Sequence, residues 1–185
     1  HILTQEEENI ISQYSEITGA TNDIFTMLNN ADIKFGTIVD EDGDEVELTH
    51  GKYIGFMESS NRELRKTAFT IMYDAYIKQI NTIATTYNYN TKTDVIISRI
   101  RHYPSSLEAS LSGDNISSDV YENLIETVNK NLGLIYRYMD IRKKILKLDA
   151  LHMYDLYVPL FDAPDKTLPY EDALQLMKVG MAPLG

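Results

Sequence analysis

Four histidines, 28 acidic residues and no cysteine are what this 185-residue sequence offers to metal or acid–base chemistry. The histidines stand at His1, His50, His102 and His152. None is four residues from another and no HExxH occurs, so no single helical turn can present two imidazoles to a zinc ion. His50 follows Thr49 at an expected helix start, and His102 precedes Tyr103 and Pro104 at an expected helix end. Each is read as a structural hydrogen-bonding residue. The lack of cysteine excludes disulfides, thiolate zinc sites and cysteine nucleophiles together. Neither G-x-S-x-G nor a phosphate-cradling glycine loop is present. No catalytic or metal-ligating residue is therefore assigned within this chain.

Asp40, Asp42 and Asp44 alternate as the acids of a calcium loop do. An EF-hand, however, places glycine sixth and glutamate twelfth. Counted from Asp40, Gly43 is fourth and the twelfth residue is Gly51, which has no side chain to coordinate anything. The stretch IKFGTIVDEDGDEVEL alternates Ile33, Phe35 and Thr37, then Val46 and Leu48, about Asp42-Gly43. Aspartate-glycine between alternating apolar runs signals a β-hairpin.

The elements around these residues are mostly helical. Thr4 and Glu7 form a capping box ahead of Ile10, Ile11, Tyr14 and Ile17, and Gly19 supplies the stop. A short helix is expected over 21–30, and helix returns with HGKYIGFMESS. Ser60 and Glu63 read as a second capping box. It opens an apolar pattern from Leu64 to Tyr87 that weakens at 88–91 and resumes from Val95 to Tyr103. One kinked helix of about 40 residues, or two nearly collinear helices, fits that pattern. After a short helix and a Gly-Asp-Asn turn, an N-cap at Ser117 or Ser118 begins a second long helix, marked from Val120 to Ile145. Arg142, Lys143, Lys144 and Lys147 suit its negative end rather than a phosphate site. Pro164 and Pro169 bracket a turn, and Pro169 is expected at the first position of a last helix. The segment LHMYDLYVPL, Leu151 to Leu160, breaks the helical period and reads as a short strand ending at Pro159. The fold class is mainly α: long antiparallel helices, a small β-hairpin near 33–48 and a short strand near 152–159. An N-terminal helical and hairpin subdomain over 1–59 and a helical region over 60–185 are expected.

Net charge is −11 and the pI is near 4.7. Such a surface repels phosphate backbones and anionic lipid, so nucleic acid and membranes are not expected as partners. No apolar run approaches the roughly 20 residues of a membrane span. The start, HILTQEEENI, has no initiator methionine, basic n-region or apolar h-region and reads as an internal start. A cytoplasmic protein is the expectation.

Three long stretches carry a family resemblance: LTHGKYIGFMESSNRELRKTAF, SLEASLSGDNISSDVYENLIETVNKNL and LKLDALHMYDLYVPL. They resemble oligoendopeptidase F, a bacterial branch of the thimet-oligopeptidase-like zinc metallopeptidases, with landmarks in the family's order along essentially the whole chain. The resemblance implies an intracellular enzyme that hydrolyses short peptides inside a closed, mostly helical channel. In that family zinc is held by the two histidines of an HExxH helix and a more distant glutamate, and the motif's glutamate activates water. Those residues lie beyond a segment like MAPLG, so this chain resembles the part before the zinc helix. Zinc is implied for the longer parent and none for this chain. Short peptides are the implied substrates, and the remainder of the parent polypeptide is the implied partner.

Beside such a zinc helix a small sheet helps frame the substrate groove, and LHMYDLYVPL would supply one edge. Tyr154, Asp155 and Tyr157 are then the candidate substrate-binding residues. The competing reading is a core strand whose tyrosines pack and cap, with Asp155 anchoring a neighbouring helix or basic residue. Severed from its partner, the chain would expose an apolar patch near Tyr154, Tyr157, Leu160, Leu174 and Met177 and self-associate. A stand-alone helical binding module is the alternative from a different class, and an HExxH further along the reading frame separates the two.

Overall fold

Helix accounts for most of the computed structural model, which describes residues 2–161 and 168–184. Helix α1 (Gln5–Thr18) opens on the expected capping box: Thr4 N–H donates to Glu7 Oε2 at 2.9 Å, and Glu7 N–H donates to Thr4 Oγ1 at 3.4 Å. Helix α2 (Ala20–Met27) runs into one π-helical turn at Leu28–Asp32.

The hairpin forms as expected. Strand β1 (Thr37–Val39) pairs antiparallel with β2 (Glu45–Glu47), placing Ile38 opposite Val46. Asp40 Oδ1 accepts the backbone N–H of both Asp42 and Asp44 at 3.0 Å, so its carboxylate closes the turn. Gly43 sits at φ +89°, where a side chain would be strained. The alternation is shifted, however. Gly36 at φ +92° interrupts the extended run, and Ile38 rather than Thr37 enters the core.

Helices α3 (His50–Glu58), α4 (Arg62–Lys78) and α5 (Ile80–Ile100) follow. The cap of α4 is Asn61, not Ser60: its side chain accepts from Glu63 N–H and Leu64 N–H. Arg65 explains the shift, since its Nη1 donates to the carbonyls of Ser59 and Ser60 and fixes the chain just ahead of the helix. The break in the long pattern falls at Gln79, with φ −104° and ψ +10°, and not at 88–91. That polar stretch stays helical while Thr91 and Thr93 hydroxyls donate to the carbonyls of Tyr87 and Tyr89.

Helix α6 (Ser106–Ser112), capped by Ser105, leads into α7 (Ser118–Ile145), whose cap is Ser117. Helix α8 (Tyr170–Met181) takes Pro169 as its cap residue rather than its first helical one. The expected turn at Pro164 lies outside the described residues. Ile38, Leu48, Met57, Leu64, Ala68 and Met72 form the core, with Tyr154 against them. The core thus draws on the hairpin and α3 from one side of residue 59 and on α4 and the 150s from the other.

The expected strand at 152–159 is absent. Met153–Asp155 is a 3-10 turn, because Asp155 N–H donates to His152 O at 2.9 Å and the Asp155 carboxylate accepts His152 N–H at 3.0 Å. Both bonds close the chain on itself, which an extended strand cannot do.

The two long helices do not cover one another throughout. Every residue from Asp119 to Asn131 on α7 is exposed, including Val120, Leu124, Ile125 and Val128. The accessible surface is 14280 Å². A compact monomer of this mass exposes about 9,000 Å².

Candidate functional site

Asp155 organises the turn from 150 to 158. It is 0% exposed, and its carboxylate accepts four hydrogen bonds. Arg62 Nε and Nη2 donate to its two oxygens at 3.0 Å each. Arg65 Nη2 donates at 2.9 Å, and the His152 backbone N–H completes the set. Arg62 and Arg65 reach the same carboxylate because both leave the first turn of α4, three residues apart on one face. Burial pushes the Asp155 carboxyl up, but the hydrogen bonds of Arg62, His152 N–H and Arg65 outweigh it and hold the pKa at about 2.

The same guanidinium groups satisfy the turn's carbonyls. Arg65 Nε donates to Tyr154 O at 2.9 Å and Arg62 Nη2 to Ala150 O at 3.4 Å. From α7, Arg142 Nε donates to Asp155 O at 2.8 Å, and its Nη2 donates to Val158 O. Three arginines from two helices therefore take the carbonyls that a strand partner would have taken. Tyr154, 8% exposed, stacks on His152 with ring centroids 5.0 Å apart, beneath the Arg62 guanidinium at 5.2 Å. Tyr157 is 55% exposed at the edge of the turn.

The structure thus brings Tyr154, Asp155 and Tyr157 onto one turn and divides their surroundings. Asp155 is a permanently ionised acceptor whose oxygens are already engaged, which suits an anchor and not a proton carrier at neutral pH. Arg62, Arg65 and Arg142 are the residues that sequence reading missed. A signal existed for Arg65, a charged residue between Leu64 and Ala68 on the apolar face of α4. Arg142 was hidden among the basic residues expected at a helix end.

The described histidines, His50, His102 and His152, stand on separate segments of the fold. His50 Nε2 lies 2.8 Å from Tyr76 Oη, and His152 Nδ1 lies 3.1 Å from Arg62 Nη2. His102 lies two residues beyond the end of α5, at φ +57°. Among the described residues no group of three or more His, Cys, Asp or Glu side chains is placed to hold a metal.

Residues 55–182 match the family described as Peptidase family M3, and residues 1–35 match that described as Oligopeptidase F. The chain belongs to peptidase family M3. Oligopeptidase PepF of Bacillus subtilis is 46% identical over all 185 residues, which cover 28% of that protein. Group B oligopeptidase PepB of Streptococcus agalactiae is 43% identical, again over the whole chain and 31% of its own length. In three dimensions this M3 chain superposes on the crystal structure of oligoendopeptidase-F from Enterococcus faecium with a TM-score of 0.86 at 39% identity. That match covers 100% of the chain and 34% of the other. The M3 chain therefore spans about three tenths of the relatives it matches.

Proposed function

We propose that this chain is the scaffold and channel-wall portion of a cytoplasmic zinc endopeptidase that hydrolyses short peptides. The observation that carries the reading is the uncovered surface. About 5,000 Å² more is exposed than a compact monomer of this mass would show, and the apolar side chains of α7 from Val120 to Val128 are among the exposed groups. A helix face of that kind is stable in water only when further polypeptide covers it. The relatives, about three times longer, have such polypeptide to offer. In this reading residues 1–59 and 60–185 form two regions joined by a shared core, and self-association follows when the rest of the parent is missing. The zinc ion, which would polarise the scissile carbonyl and activate water, takes its ligands from outside the described residues. Tyr157 contacts substrate from its exposed edge of the turn, while Tyr154 and Asp155 hold that edge in place.

The test compares the complete reading frame with this chain alone on a quenched peptide. The complete protein should cleave it and lose that activity to a chelator, while the chain alone should not cleave it. Chelator-sensitive cleavage by the chain alone, or an inactive but peptide-binding complete protein, would overturn the proposal. The second outcome would favour a helical binding module.

A further inference from the structure

The arginines around the turn at 150–158 outnumber its acid. Arg65 and Arg142 are buried, and Asp155 is the carboxylate that Arg62 and Arg65 share. Arg142 donates to two carbonyls and to Tyr138 Oη, and pairs with no carboxylate among the described residues. Carbonyl oxygens satisfy the N–H groups of a guanidinium and leave its charge uncompensated. The turn is therefore a positive spot in a chain of net charge −11. Withdrawing guanidinium groups from water costs free energy that a further anion would offset.

Two donors beside that charge are open. Arg62 spends Nε and Nη2 on Asp155, Ala150 O and His152. Its Nη1 makes no hydrogen bond among the described residues and is not buried, and the side chain is 34% exposed. His152, with its side chain 50% exposed, places Nδ1 3.1 Å from Arg62 Nη2. A guanidinium has no acceptor, so Nδ1 accepts and the neutral ring carries its proton on Nε2. The imidazole lies within 9° of the Tyr154 ring plane, and the Arg62 guanidinium sits 5.2 Å from the centre of the same ring. These contacts hold both donors in place before anything binds, which lowers the entropy cost of binding.

We propose that Arg62 Nη1 and His152 Nε2 form a binding site for a carboxylate. Each donates one hydrogen bond to it, and the buried positive charge behind them strengthens both. The two occupants at issue are a bound peptide and the rest of the parent, and the anion that either can offer at neutral pH is a carboxylate. A phosphate carries more charge than so acidic a chain would admit. The peptide source rests on the peptidase reading above; the parent's own aspartate or glutamate does not.

The complete protein is tested with pairs of peptides that differ only by a carboxylate against its amide: a free or amidated C-terminus, and aspartate or asparagine at one position at a time. Where the peptide supplies the group, one pair should show about tenfold tighter binding of the carboxylate member. Arg62→Gln should shrink that ratio, and so should His152→Ala, which leaves the Arg62–Asp155 pair intact. A loss that is equal for both members of the pair would overturn the peptide source, since a structural role moves both alike. Where the parent supplies the group, no pair should differ. One Asp→Asn or Glu→Gln change in its remainder should then raise the unfolding constant about fivefold, and do so much less in the Arg62→Gln background. No ratio in any pair, together with no such coupling, would overturn the site. A complete protein that binds carboxylate peptides through Arg62 but cleaves none would sink the peptidase reading and leave the site standing.

Discussion

The turn at 150–158 and the first half of α7 solve opposite problems. The turn has no strand partner, yet its carbonyls and its one acid are met by Arg62, Arg65 and Arg142. It is completed from within the chain. The segment from Asp119 to Asn131 is regular helix throughout, yet Val120, Leu124, Ile125 and Val128 face water. It is completed only by something else. Polar satisfaction is short-ranged and directional, so a short chain can achieve it locally; apolar burial needs area, and area needs more polypeptide.

The largest way to break this comparison is to remove the anchor. Asp155→Ala leaves Arg65 buried without its carboxylate, and should cost about 3–5 kcal/mol in urea unfolding. A loss below about 1 kcal/mol would show that the turn is held by Arg142 and apolar contacts alone.

Acid provides a second, smaller test. The Asp155 pKa is depressed in the folded chain, about 2 against the ordinary 3.8, so its stabilisation is full above pH 4 and is lost as pH falls towards 2. That shift is worth about 2 kcal/mol. Asp155→Asn should lower stability at pH 6 and flatten its decline between about pH 4 and pH 2, the window set by those two pKa values. An equally steep decline in the variant would assign the acid sensitivity to other carboxylates.

The hairpin sharpens the point at lower stakes. Asp40→Ala removes the acceptor for two exposed backbone N–H groups and should cost about 1 kcal/mol. Calorimetry with calcium should give no binding heat. A binding heat that vanished in Asp42→Asn would restore the calcium-loop reading.

The smallest effect on stability should come from α7. Leu124→Gln with Val128→Gln should move unfolding of this chain by less than about 0.5 kcal/mol while reducing its self-association in sedimentation. In the complete protein the same pair should be clearly destabilising. A large loss already in the isolated chain would mean that the strip is buried within it.

Much of this protein was legible as a string of residues. The Thr4–Glu7 box, the Asp42-Gly43 turn, the helix at His50 and the limits of α7 all follow from interactions among residues a few positions apart, which sequence spacing encodes directly. The long resemblance added the family. Tertiary structure decided what depends on distant partners. LHMYDLYVPL alternates like a strand, but it is a turn because Arg62 and Arg65, some 90 residues earlier in the sequence, and Arg142 take its carbonyls and its acid. Gly36 shifted the strand's inward face by one residue, and Gln79 rather than the polar run at 88–91 divided the long helix. In each case local patterning was compatible with more than one conformation. The choice fell to contacts across the fold, where a buried carboxylate must find its donors and an apolar side chain must find the core.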